Sequence, residues 1–204
     1  MPSSFRYGPE RLTVEAGRTD FRRASAYSQT RRVKWIVSHE NFGTSGFRHD
    51  IALLKLQEPF EFEDSDGYVT SICLPEPQTD ETSPLQGNII VSGWGATREG
   101  GSPTPGLRTV SIPVENDFLC MWQYSRFFPI PGTLYDRTTM LCASTLFGGK
   151  SSCQGDSGGP AMQKENGTAV LVGVVSFGRG CGRFNNAAVY TRVSHYIDWI
   201  LENS

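Results

Sequence analysis

The chain has 204 residues, a formal charge of −2 and an isoelectric point of about 5.9. That near-neutral balance offers no basic surface for nucleic acid, and no apolar run is long enough to cross a membrane. The length suits one all-β domain or two small ones. The opening stretch, Met1-Pro-Ser-Ser-Phe-Arg-Tyr7, lacks the apolar core of a signal peptide.

Short strands between turn residues dominate the pattern, as in barrels and sandwiches. Arg11–Ala16 alternates before Gly17, and Lys34–Val37 and Ile51–Leu56 follow. Pro75–Pro84 is polar and proline-bearing and reads as the connection between two halves. The second half is expected to place strands at Asn88–Gly93, Arg108–Val114, Ala169–Ser176 and Ala188–Val193. Gly100–Gly106 reads as a loop, and Phe127–Gly132 lengthens a second one between Cys120 and Cys142. Asn166-Gly-Thr168 is a glycosylation sequon, but Asn-Gly is also a favoured hairpin turn; the two readings are compatible. Ser194 is positioned to cap a last helix, with Val193, Tyr196, Ile197, Ile200 and Leu201 on one apolar face.

The most informative stretch is Cys153-Gln-Gly-Asp-Ser-Gly-Gly-Pro160. Gly155 has no Cβ to block the approach of a substrate carbonyl. The amides of Gly155 and Ser157 can then share one small space and stabilise an oxyanion. Ser157 is the candidate nucleophile, and it needs a base and a group to orient that base. Asp50 opens the apolar run Ile51-Ala-Leu-Leu-Lys-Leu56, so its carboxylate enters a low-dielectric interior where it needs a partner.

With these residues in view, the chain resembles the chymotrypsin/trypsin family of serine endopeptidases. Further stretches carry the likeness in order along nearly the whole chain. They are Val91-Ser-Gly-Trp-Gly-Ala-Thr97, the run from Cys142 to Cys153, Val174-Val-Ser-Phe-Gly-Arg-Gly-Cys-Gly182 and Ala188-Val-Tyr-Thr-Arg-Val193. The resemblance implies an all-β, chymotrypsin-like double Greek-key barrel with a C-terminal helix and an active site between the barrels. Residues 1–74 would be a partial first barrel, 75–84 the connection and 85–204 the second barrel with the helix, together one peptidase domain.

The resemblance also implies roles. Asp50 and Ser157 would be two members of a Ser–His–Asp triad, with the oxyanion held by Gly155 and Ser157. Asp156 would pair with an amino group freed by activation. Ser151, Ser176, Phe177, Gly178 and Ala188 would form the primary pocket, with Phe177 in place of the usual Trp. Ser151 stands where trypsin-type relatives carry Asp, and Ala188 where wide-pocketed ones carry Gly. A neutral pocket for an apolar residue of moderate size follows. Disulfides Cys120–Cys142 and Cys153–Cys181 are implied, and with them a secreted protein acting on peptides or proteins. Cys73 is left over: either a half-cystine whose partner lies in a missing upstream segment, or a free buried thiol. The 127–132 loop would border the substrate groove or merely lie on the surface.

Two family features are absent. No Thr-Ala-Ala-His-Cys segment precedes Asp50, and there is no Ile-Val-Gly-Gly type N-terminus. The three histidines read as surface or strand-end residues: His39 follows a strand, His49 neighbours Asp50, and His195 lies on the terminal helix. The stretch Trp35-Ile-Val-Ser-His39 mimics an activation site, but a cut there would leave no room for a His segment. No cofactor and no metal are expected. The region from Gly17 to His39 has the length of a calcium loop, yet Arg18, Ser25 and Ser28 fall where charged oxygens would be needed. The expectation is an N-terminally truncated serine endopeptidase domain, inactive alone. The alternative is a non-catalytic homologue acting as a binding or regulatory protein.

Overall fold

The computed structural model describes residues 8–44, 46–77, 85–127, 135–145 and 147–204. Most of the loop expected at 127–132, residues 78–84 of the expected connection and the opening residues 1–7 lie outside the described residues.

Among the described residues, nine strands form two antiparallel sheets. The first contains β1 (Thr13–Ala16), β2 (Gln29–Ser38) and β3 (Ala52–Leu56) in that order. The second contains β4 (Asn88–Gly93), β5 (Arg108–Pro113), β6 (Met140–Ala143), β7 (Pro160–Glu165), β8 (Thr168–Phe177) and β9 (Ala188–Arg192). Its order is β5-β4-β7-β8-β9-β6. The sheet curls until its ends approach: the Glu115 amide donates to the Cys142 carbonyl at 2.9 Å and the Ser144 amide to that of Pro113 at 3.2 Å. This is the mostly β, double-barrel class expected, with a short C-terminal helix.

The two sheets differ in core. Alternating inward residues of the second sheet, among them Ile89, Val91, Ile112, Val170, Val172 and Tyr190, pack into one cluster. In the first sheet Val33 alone is fully buried among the strand residues, and Leu54 on edge strand β3 is 42% exposed. The halves are tied together by main chain. The Leu107 amide donates to the Thr19 carbonyl, and that of Phe21 to Pro105. Cys73 already pairs with β8: the Leu171 amide donates to its carbonyl at 2.9 Å.

Several local expectations need correction. An unforeseen helix, α1 (Asp117–Phe127), follows β5. The Asn116 side chain accepts the Phe118 amide at its start. Cys120, Gln123 and Tyr124 face inward, yet Phe118, Leu119, Met121 and Trp122 face outward, so apolar residues lie on all sides and blur the helical period. Strands β6 and β7 were likewise not read; β6 is four buried residues with no alternation. At the C-terminus Ser194 lies inside a turn rather than at a helix N-cap, which Arg192 and Tyr196 occupy. A 3-10 turn over Val193–Tyr196 leads into α2 (Ile197–Asn203), whose start has no side-chain cap. Val193, Tyr196 and Ile197 are buried as expected, but Leu201 is exposed. Asn166 and Gly167 have φ of 50° and 85° and form the two-residue turn between β7 and β8.

Candidate functional site

Asp50 ends the turn that leads into β3. Its Oδ2 accepts the Ser176 hydroxyl at 2.6 Å, and its main-chain carbonyl accepts the Thr191 hydroxyl at 2.7 Å. Burial pushes the Asp50 carboxyl above its usual range, and the bond from Ser176 partly opposes the rise. Asp50 and Ser157 line the same cavity, of about 470 Å³, together with Ser38, Phe42, Ile51, Ala52, Leu54, Gly158, Val174 and Val175. The cavity is largely apolar, with the carboxylate and the hydroxyl on its wall.

The chain's three histidines gather elsewhere. His39 directly follows β2, as expected of a strand-end residue, and is buried. Its ring stacks on His49 at 4.7 Å and on Trp199 at 5.0 Å. His49 Nδ1 lies 3.1 Å from the Tyr196 hydroxyl, and the His195 ring meets the edge of Tyr196.

The loop carrying Ser157 is shaped by glycine. Gly155 has φ of 95°, where a side chain is strained. Among the described residues, the amides of Gly155 and Ser157 donate to no main-chain carbonyl, whereas those of Asp156, Gly158 and Gly159 do. Two amide donors beside Ser157 Oγ are thus left without a main-chain acceptor. Between them Asp156 turns inward: Oδ1 accepts the Gly95 amide at 2.8 Å and Oδ2 the Cys153 amide at 2.9 Å. A Cβ on Gly93 or Gly95 would land on that carboxyl, which gives the Gly-Trp-Gly run a steric reason.

Of the expected pocket residues, Ser176, Phe177, Gly178 and Ala188 line a second cavity of about 200 Å³ that also reaches Ser157. Ser151 does not line it; it lies along a neighbouring cavity of about 190 Å³ beside Asp156. Ser152 takes its place, 3.3 Å from the Tyr190 hydroxyl. Phe177 stacks on Phe47 at 4.8 Å and meets Tyr124 edge-on. Ser152 and Phe47 were missed in the sequence; each stands close to a residue that was identified, but no local signal gave its direction. Both expected disulfides are present, Cys120–Cys142 and Cys153–Cys181, the second tying the Ser157 loop to the pocket wall. Cys73 is a free thiol and exposed rather than buried.

The family model described as trypsin matches residues 5–200. The chain is similar to trypsin-1 of Astacus astacus, with 39% identity over 196 residues, covering 96% of this chain and 77% of that protein.

Proposed function

The chain belongs to the trypsin family, and from that membership we propose that it is the acyl-transfer half of a serine endopeptidase, completed by an imidazole that it does not itself supply. What carries the reading is the shared cavity, lined both by Asp50, held by Ser176, and by Ser157. Ser157 Oγ attacks the scissile carbonyl of a peptide or protein. The imidazole takes its proton and returns it to the leaving amine, so the acyl group passes to Ser157 and then to water. Asp50 holds that imidazole in the required tautomer, and the amides of Gly155 and Ser157 hold the oxyanion.

None of His39, His49 and His195 lines the cavity, which supports a base from a segment or partner outside these 204 residues. The cavity beside Asp156 accepts the amino group freed by activation. Preference is for an apolar residue before the scissile bond, since the lining of the pocket beside Ser157 contains no charged side chain. Two disulfides favour an extracellular setting.

The test is reconstitution. The chain joined to a family-type segment bearing Thr-Ala-Ala-His-Cys, with a processed N-terminus, is profiled on a peptide library varied at the residue before the cleaved bond. Turnover that Ser157→Ala abolishes, with Leu or Phe preferred, supports the reading. That none of the three histidines lines the cavity shared by Asp50 and Ser157 also favours the second reading, a non-catalytic binding protein. Failure of the reconstituted, correctly folded chain to cleave would establish that one instead.

A further inference from the structure

The aromatic cluster that holds the three histidines serves no step of the proposed chemistry, yet it joins two distant parts of the molecule. His39 and His49 bracket the turn that ends at Asp50. Tyr196 and Trp199 belong to the C-terminal 3-10 turn and α2. The His39 ring lies between His49 at 4.7 Å and Trp199 at 5.0 Å, with Tyr196 at its edge. His39 Nδ1 accepts the Asn41 amide, and His49 Nδ1 faces the Tyr196 hydroxyl. We propose that this stack is an acid-sensitive latch: neutral rings hold the 39–50 turn to the C-terminal helix, and protonation of both rings releases it.

The charges around the stack set its limits. On the turn, Arg48 adds positive charge, while the Glu40 carboxylate lies 3.7 Å from His39 Nδ1 and also accepts the Trp199 indole N–H. Asp50 follows directly and is turned toward Ser176. From the segment before β6, Asp136 pairs with Arg48 at 3.4 Å and is held by Thr138 and Thr139. From the C-terminal segment come His195 and the neutral Tyr196. One positive charge on the stack has Glu40 beside it. A second has two imidazolium rings face to face, with Arg48 and His195 near. Burial, then His39 and His195, hold the His49 imidazole below its ordinary value of 6.5.

The sign follows. A base whose folded value is depressed gives stability that is whole above 6.5 and is lost as pH falls through the folded value. Asp50 cannot produce that loss, because its raised value favours the folded state in acid. Glu40 and Asp136 are held low and lose their contribution only below their ordinary values of 4.5 and 3.8.

Hydrogen exchange of the whole chain, corrected for intrinsic rate, is compared at about pH 7.5 and about pH 5. Segments 39–50 and 193–204 are expected to exchange about tenfold faster at the lower pH while β8 is unchanged, and His49→Gln should remove the difference. Equal protection at both pH values, or the full loss persisting in His49→Gln, overturns the latch. Should that variant fail to fold, imidazole proton resonances of the unaltered chain decide. Titration of the His49 ring below the ordinary range supports the latch; its titration at the ordinary value overturns it.

Discussion

Asp50 and Ser176, 126 residues apart, are joined by a 2.6 Å hydrogen bond from the serine hydroxyl to the carboxylate. The bond reaches from the start of β3 in the small sheet to the end of β8 in the large one, so it fixes a carboxylate across the seam between the two halves. It also opposes the rise that burial imposes on the carboxyl. The direction of that balance can be tested.

Ser176→Ala should raise the Asp50 titration further, because burial then acts unopposed. A raised carboxyl stabilises the folded state below its unfolded value and loses that contribution as pH rises through the folded one. The variant should therefore lose more stability than the parent on going from acid to neutral pH. Carboxyl carbon resonances and urea unfolding at several pH values report both effects. An unchanged or lowered Asp50 value would contradict the assigned role of the bond.

The chain by itself should show no appreciable peptidase turnover. Loss of one triad member removes several orders of magnitude in rate, leaving at most the residual effect of the oxyanion donors. Casein and a panel of chromogenic peptides are suitable substrates. Activity at the level of an ordinary protease, abolished by Ser157→Ala, would show that a base is available within these 204 residues.

Gly95→Ala should destabilise the chain by about 1–3 kcal/mol, the usual range for forcing extra atoms into a packed site. The new Cβ would sit 2.5 Å from the Asp156 carboxyl, and relief would require breaking the bond from the Gly95 amide. Chemical denaturation gives the difference directly. A midpoint equal to that of the parent would mean that Asp156 is not confined by this cradle.

The Gly155 and Ser157 amides should exchange with solvent much faster than those of Gly158 and Gly159, which are bonded to Val175 and Asp156 carbonyls. A peptide bearing a free amino terminus that enters the cavity beside Asp156 should slow the exchange of the whole 150–156 stretch. Strong protection of Gly155 and Ser157 without any addition would run against the proposed open oxyanion site.

Local patterns already placed much of the architecture. The expected strand Asn88–Gly93 coincides with β4, because its β-branched run Ile89-Ile-Val91 lies between turn residues. The Asn166-Gly167 turn was legible for a similar reason, since few residues tolerate positive φ. The glycines of the run from Cys153 to Pro160 are dictated by the backbone: Gly155 and Gly158 have positive φ, and a Cβ on Gly159 would meet the Asp156 carbonyl. Helix α1 and strand β6 were not legible, because their apolar residues do not follow one face and tertiary packing decides their form. Nor could sequence say that Ser152 rather than Ser151 lines the cavity at Ser157, since a choice between neighbours depends on which way the loop turns. The same holds for His39, which reads as an ordinary strand-end residue. It becomes the centre of an aromatic stack only because the C-terminal segment, far along the chain, folds back to bring Tyr196 and Trp199 against it.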